Sequence, residues 1–193
     1  MADTSTRKDH SRISPTAKIT AYWRSLSDIP YSKEIAEAVG AEVTAREMIG
    51  DRVVMMGSIS PSMFEARYKS INRGLEKCGI ANVMELACGL SPRGLEVASK
   101  GGVYVGTDLP KMYAESSPII KAIARRTGVK LENLHLQPAN VLDRSGMDNA
   151  ALHFAGKRFA VCNDSHSCMT FVAMCSNPSP ALQERSRRAP VLR

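Results

Sequence analysis

The chain has 193 residues, 44% of them hydrophobic and 23% charged, with a formal net charge of +7; this composition suits one globular domain with a core of its own. No apolar run approaches the ~20 residues that a membrane-spanning helix needs, and the polar start M-A-D-T-S-T-R-K-D-H lacks the apolar centre of a signal peptide, so the expectation is a cytoplasmic protein with no membrane partner. The basic residues are scattered and aromatics make up only 5%, which argues against a nucleic-acid partner. The five cysteines have no framework spacing and read as reduced thiols.

Taken in order, residues 1–12 read as a disordered polar lead. Ser14-Pro15-Thr16 opens a helix over 16–27, with Ile19, Tyr22, Trp23 and Leu26 at helical spacing, and Pro30 closes it. Two further helical pieces follow at 32–40 and 41–49. Residues 61–77 form the strongest helix of this half, with Met63, Phe64, Tyr68, Ile71 and Leu75 as its apolar stripe and Arg67 and Arg73 on the polar side. Strands are predicted at 82–87, 103–107, 133–138 and 159–162, with helices at 92–100, 115–127 and 147–156 between them. Gly128 is placed to end the second of these helices. His135 alternates with Leu134 and Leu136 and so belongs to the opposite strand face.

The chemistry-bearing stretch is V-M-E-L-A-C-G-L-S-P-R-G (83–94), answered by V-Y-V-G-T-D-L-P (103–110). A strand, a glycine turn, a helix and a second strand ending in an acid make a nucleoside-binding βαβ unit. Gly89 lets backbone approach a ligand closely. Asp108 stands 23 residues after Glu85 (108 − 85), where the acid that takes ribose hydroxyls is expected at about 20. The glycine spacing is Gly89-x4-Gly94 and not G-x-G-x-x-G, and an acid at Glu85 suits a sulfonium or an amine and opposes a pyrophosphate. The spacing therefore favours S-adenosylmethionine over a dinucleotide, with a nicotinamide-dependent oxidoreductase as the competing reading.

E-L-A-C-G-L-S-P-R-G-L (85–95) and T-D-L-P (107–110) resemble the leucine carboxyl methyltransferase family, in particular its bacterial, polyketide-type O-methyltransferase branch. I-S-P-T-A (13–17), A-Y (21–22) and F-E-A-R-Y (64–68) fit the same branch, and the likeness runs from about residue 13 to about 163. The resemblance implies an α/β, Rossmann-like class I methyltransferase sheet, preceded by a helical cap over 13–60 and built on 61–163. It implies S-adenosylmethionine as cofactor and a carboxylate or hydroxyl oxygen, on a small molecule or a protein, as methyl acceptor. It places Glu85, Ala87 and Gly89 along the methionine part, Asp108 on the ribose with Leu109 beside it, and Asn140 and Val141 at adenine, with Asp143 as a weaker candidate. Arg67 would hold the methionine carboxylate and Asn163 would stand at the methyl end. No catalytic base is named, and Cys88 reads as a packing residue.

The likeness stops at N-D-S-H (163–166), where the family's strand tip carries asparagine–glutamate–glycine–leucine. A complete class I sheet has seven strands, and this reading finds four, so the fold is expected to be incomplete. The Ser/Arg/Pro/Cys-rich tail 164–193 suggests a frameshift near codon 164, with a natural short form as the alternative. An incomplete sheet would expose an unpaired edge on the first strand and invite homodimerisation through it. The function would then be methyl transfer or, in the alternative, non-catalytic S-adenosylmethionine binding. Cys162, His166, Cys168 and Cys175 lack a paired C-x2-C knuckle, so no metal is expected.

Overall fold

The computed structural model describes residues 14–50, 60–164 and 170–172. The lead 1–12, the rest of the 164–193 tail and His166, Cys168 and Cys175 lie outside the described residues. Four helices come first: α1 (Pro15–Ser25), α2 (Ser32–Ala38), α3 (Ala41–Ile49) and α4 (Ser60–Cys78). Then strands and helices alternate: β1 (Val83–Leu86), α5 (Arg93–Ser99), β2 (Tyr104–Asp108), α6 (Pro110–Thr127), β3 (Leu134–Pro138), α7 (Arg144–Ala151), β4 (Ala160–Asn163) and β5 (Thr170–Val172). The architecture is α/β, as the alternation of periods predicts.

Strand order is β3-β2-β1-β4-β5, with the first four parallel and β5 antiparallel to β4. Two sequence expectations change here. The tail contributes a fifth strand, where the sequence reading found four; Thr170-Phe171-Val172 is β-branched and aromatic, a strand composition too short to read against its Ser- and Cys-rich surroundings. The far side of β1 is also not an open edge, because β4 bonds along all of β1 from Val83↔Ala160 to Leu86↔Asn163.

Alternation along the strands sorts the core into two faces. Val83, Tyr104, Leu134, Ala160 and Cys162 join Trp23 and Ile35 of the N-terminal helices, Ile71 and Leu75 of α4, Leu95 of α5 and Ile120 and Ile123 of α6 in one cluster. Met84, Val103 and Val105 face the other way onto Ala150 of α7 and the stacked rings of Phe154 and Phe159. The N-terminal helices thus share a core with the sheet. Tyr22 and Trp23 are part of it, at 9% and 2% exposure, with ring centroids 5.0 Å apart.

Element boundaries follow local chemistry. α6 begins at Pro110, five residues before the predicted start, because proline at the first helical position supplies the helical φ and lacks only an N–H that has no intrahelical partner there. Gly128, at φ 74°, ends it. α7 begins at 144 because the Asp143 carboxylate accepts the N–H groups of Ser145 and Gly146. Gly94 of α5 and Gly106 of β2 enclose the Tyr104 ring: a Cβ on either would stand 2.6 or 2.8 Å from Tyr104 Cε1. That close approach steers the Tyr104 hydroxyl under the turn that follows β1.

Candidate functional site

In an open parallel sheet, ligands collect at the carboxyl ends of strands where the order reverses. Here the chain runs from β1 outward to β2 and β3, then returns to place β4 on the other side of β1. The reversal point lies between β1 and β4, beside the turn Ala87-Cys88-Gly89. Both Ala87 (φ 51°) and Gly89 (φ 52°) take the left-handed conformation. The turn is fastened to β2 at two points: Cys88 N–H donates to Thr107 O (3.0 Å) and Gly89 N–H donates to Asp108 Oδ2 (2.7 Å). At Gly89 it is this positive φ, strained for a residue with a Cβ, that calls for glycine.

Asp108 is the hub of the site. Its Oδ1 accepts the Leu109 N–H at 2.7 Å, and its backbone oxygen accepts the Ala139 N–H at 2.8 Å, which ties the loop after β3 to the tip of β2. Desolvation raises the Asp108 pKa above the ordinary carboxylate value, against the opposing pull of the Gly89 and Leu109 N–H groups. Asn140 and Val141 stand on the tied loop. Asn140 Oδ1 accepts the Leu142 N–H (3.0 Å) and shapes the loop into a tight turn. Leu109, Val141 and Leu142 are exposed at 57%, 48% and 89%, an apolar rim on the two segments that flank Asp108. Asn163, half-buried, ends β4 in register with Leu86. Ala87, Gly89, Asp108, Leu109, Asn140, Val141 and Asn163 therefore all sit at the carboxyl ends of the parallel strands.

Three residues are placed differently. Asp143 is the cap of α7. Glu85 is fully buried, one position inside the β1 tip, where its carboxylate accepts from Arg93 Nη1, from Ser91 Oγ (3.0 Å) and from Tyr104 OH (2.6 Å). The expectation that Glu85 meets a ligand's amine or sulfonium is corrected: its charge is spent on Arg93, because an acid on the core face of a strand must be paired within the core. With its charge paired, Glu85 also no longer argues against a pyrophosphate. Arg67 is the third. Its Nε lies 2.8 Å from Asp164 Oδ1, so a carboxylate of this chain already occupies the arginine expected to take a ligand's carboxylate.

Arg24, Arg93 and Asp164 are the residues sequence reasoning missed. Arg24 Nη2 donates to Asp164 Oδ2 at 2.8 Å, and Arg93 Nη2 stands 3.5 Å from the same oxygen. Arg93 Nε donates to Asn72 Oδ1 (3.0 Å), and its guanidinium lies over the Tyr68 ring at 4.4 Å. Tyr68 OH and Asn72 Nδ2 in turn donate to Glu96 Oε2, at 2.6 and 3.0 Å. Burial opposes the Arg93 charge, but Glu85 and its other neighbours outweigh that and hold its pKa above the ordinary value. The available signal was Glu85 itself: an acid sharing a strand face with Val83 calls for a cation, and Arg93 follows eight residues later.

The half-buried Cys88 has its pKa pushed well above the ordinary thiol value, first by desolvation and then by Glu85 and Asp108, so it is held as a thiol and not a nucleophilic thiolate. Among the described residues no group of three or more metal-ligating side chains converges, and no helix is long and apolar enough to cross a membrane. No protein-family model matches this chain, and no curated protein matches it.

Proposed function

We propose that this chain binds S-adenosylmethionine at the carboxyl ends of β1, β2 and β4 and transfers its methyl group to a carboxylate or hydroxyl oxygen. The observation that carries the reading is the Gly89–Asp108 bond. A dinucleotide site keeps the amides of this turn open for a pyrophosphate, whereas here a carboxylate is seated on the Gly89 N–H at 2.7 Å and would repel one. The same carboxylate, at a strand tip and flanked by exposed Leu109 and Val141, suits a neutral nucleoside: a ribose diol for the acid and a flat base for the apolar rim. The resemblance of 85–95 and 107–110 to leucine carboxyl methyltransferases supports the same ligand.

In this reading Asp108 accepts the ribose hydroxyls, while Leu109, Asn140 and Val141 surround adenine. Ala87 and Gly89 offer backbone to the methionine part, and Asn163, at the β4 tip beside β1, stands toward the methyl group. When bound, S-adenosylmethionine would supply an activated methyl on sulfur: an oxygen–carbon bond to the acceptor would form as the carbon–sulfur bond breaks, leaving S-adenosylhomocysteine. The chain contributes alignment of donor and acceptor. The acceptor is a small molecule or a carboxylate-bearing chain. A thermal-unfolding comparison tests the ligand class. A ligand that binds only the folded state stabilises it by about 2.7 kcal/mol at a hundredfold excess over its Kd. S-adenosylhomocysteine should raise the melting temperature and NADH should leave it unchanged; the reverse pattern would favour the oxidoreductase reading.

A further inference from the structure

A cleft of about 300 Å³ opens at the amino end of β1, at the other end of the sheet from the strand tip that carries Asp108. Leu75 of α4, Ile80 and Val83 at the entry to β1 and Val97 of α5 form its apolar floor, the first three at most 8% exposed. Local backbone chemistry shapes it. α4 ends at Cys78 and the chain turns through Gly79, at φ 61°. Gly102, after α5, brings the returning chain close to that turn, since a Cβ on it would stand 2.2 Å from Ala81 O. Ligand pockets span about 300–1,000 Å³ and are mostly apolar with a few placed polar groups, so this cleft has the size and lining for a small molecule.

Its polar groups are of one kind. Two carboxylates, Glu76 of α4 and Glu96 of α5, line the cleft with the apolar floor. Glu96 is held in place: its Oε2 accepts from Tyr68 OH (2.6 Å) and Asn72 Nδ2 (3.0 Å), and its Oε1 accepts from Lys100 Nζ (2.7 Å). Desolvation pushes the Glu96 pKa up, but Lys100, Tyr68 and Asn72 outweigh it and leave the carboxyl below its ordinary value, ionised at neutral pH. The Lys100 contact shows what Oε1 accepts, a primary ammonium. That lysine side chain is 67% exposed, against 12% for Glu96, and an exposed pair four residues apart on a helix is weak. The carboxyl end of the 19-residue α4 adds the negative end of a helix dipole. A second hollow of about 240 Å³ shares Asn72, Glu76 and Glu96 but carries Lys69 and Arg73, with Lys69 held by Asp28 and Glu65 at 2.6 and 2.5 Å. Among the described residues that line the apolar cleft, Lys100 is the one base.

We propose that this cleft binds a small apolar primary amine, with its ammonium on Glu96 Oε1 and Glu76 and its hydrocarbon body on Leu75, Ile80, Val83 and Val97. The site is independent of the nucleoside reading, because it lies at the opposite end of the sheet. The apolar body gains by leaving water for the floor. The ammonium meets a carboxylate already desolvated and oriented by two hydrogen bonds, the setting in which a charge-assisted bond is strong. A carboxylate on the same body would make the apolar contacts and be repelled by both acids. The Lys100 ammonium competes with the ligand for Oε1 and so sets its affinity.

Phenethylamine is the probe, and phenylacetate, of similar size and opposite charge, is its control. Both are titrated into the isotope-labelled full chain and followed by backbone amide chemical shifts. Phenethylamine should give saturable shifts at Gly79, Val97 and Gly102, and phenylacetate none there. Glu76→Gln should weaken amine binding up to about fivefold, and Lys100→Met, which removes the competing ammonium, should tighten it by a similar factor. Both substituted residues are exposed, so the variants keep the fold. Equal shifts from the two probes, shifts confined to Leu109 and Ala139 at the other end of the sheet, or no saturable response to the amine, overturn the site. Amine binding that neither substitution changes overturns the placement of the ammonium on Glu96 and Glu76.

Discussion

Glu85 and Asp108 are both acids at strand ends, and their surroundings assign them opposite work. Glu85 is one position inside β1, fully buried, and accepts from Arg93, Ser91 and Tyr104. Asp108 is at the tip of β2, half-buried, with two backbone N–H groups on its carboxylate and a face left toward solvent. Removing one partner of a buried ion pair leaves the other charge uncompensated, at a cost of about 3–5 kcal/mol. Glu85→Gln should therefore lower unfolding stability by that amount, measured by urea denaturation. A Glu85→Gln protein of unchanged stability that loses nucleoside binding would return Glu85 to the ligand.

At the scale of elements, β3 and α7 with its following turn hold the loop that carries Asn140 and Val141, and a histidine pair joins them. His135 of β3 stacks on His153 with ring centroids 4.3 Å apart, and His153 Nε2 meets Gln137 Oε1 at 3.0 Å. Lys121 of α6 and the backbone of Glu132 complete the surroundings of His135. Both pKa values are lowered: that of His135 by desolvation, then by His153 and Lys121, and that of His153 by desolvation. A base whose pKa falls on folding binds fewer protons folded than unfolded, so stability is present above the ordinary value of about 6.5 and is lost as pH falls below it. His135→Gln should flatten the stability–pH curve between about pH 7 and 5 relative to wild type; parallel curves would contradict the pairing. The same elements show what a sequence discloses. Short apolar runs that open at 83 and 103 and the 60–78 stripe are local signals, and those elements stand within about two residues of expectation. The three-arginine cluster unites residues 24, 67, 93 and 164, and no local period marks such a meeting. β5, three residues long, has too little sequence to carry a period at all.

At the scale of the molecule, the order β3-β2-β1-β4-β5 reverses direction at β1, and every exposed candidate residue lies at the carboxyl ends of the parallel strands. The N-terminal helices are continuous with the sheet's core and bring Arg24 and Arg67 to the same end of it. Fold and site thus follow from one topology, and the central claim is that this end of the sheet seats an adenosyl nucleoside with Asp108 on its ribose. The most direct test is calorimetric titration of the purified chain with S-adenosylhomocysteine, alongside Asp108→Ala. Hydrogen bonds to a charged group contribute about 1.5–3 kcal/mol, a factor of roughly ten or more in affinity. Saturable one-site binding that Asp108→Ala weakens by at least that factor is the predicted result. A folded chain that releases no heat of binding, or that binds equally well without the Asp108 carboxylate, would contradict it.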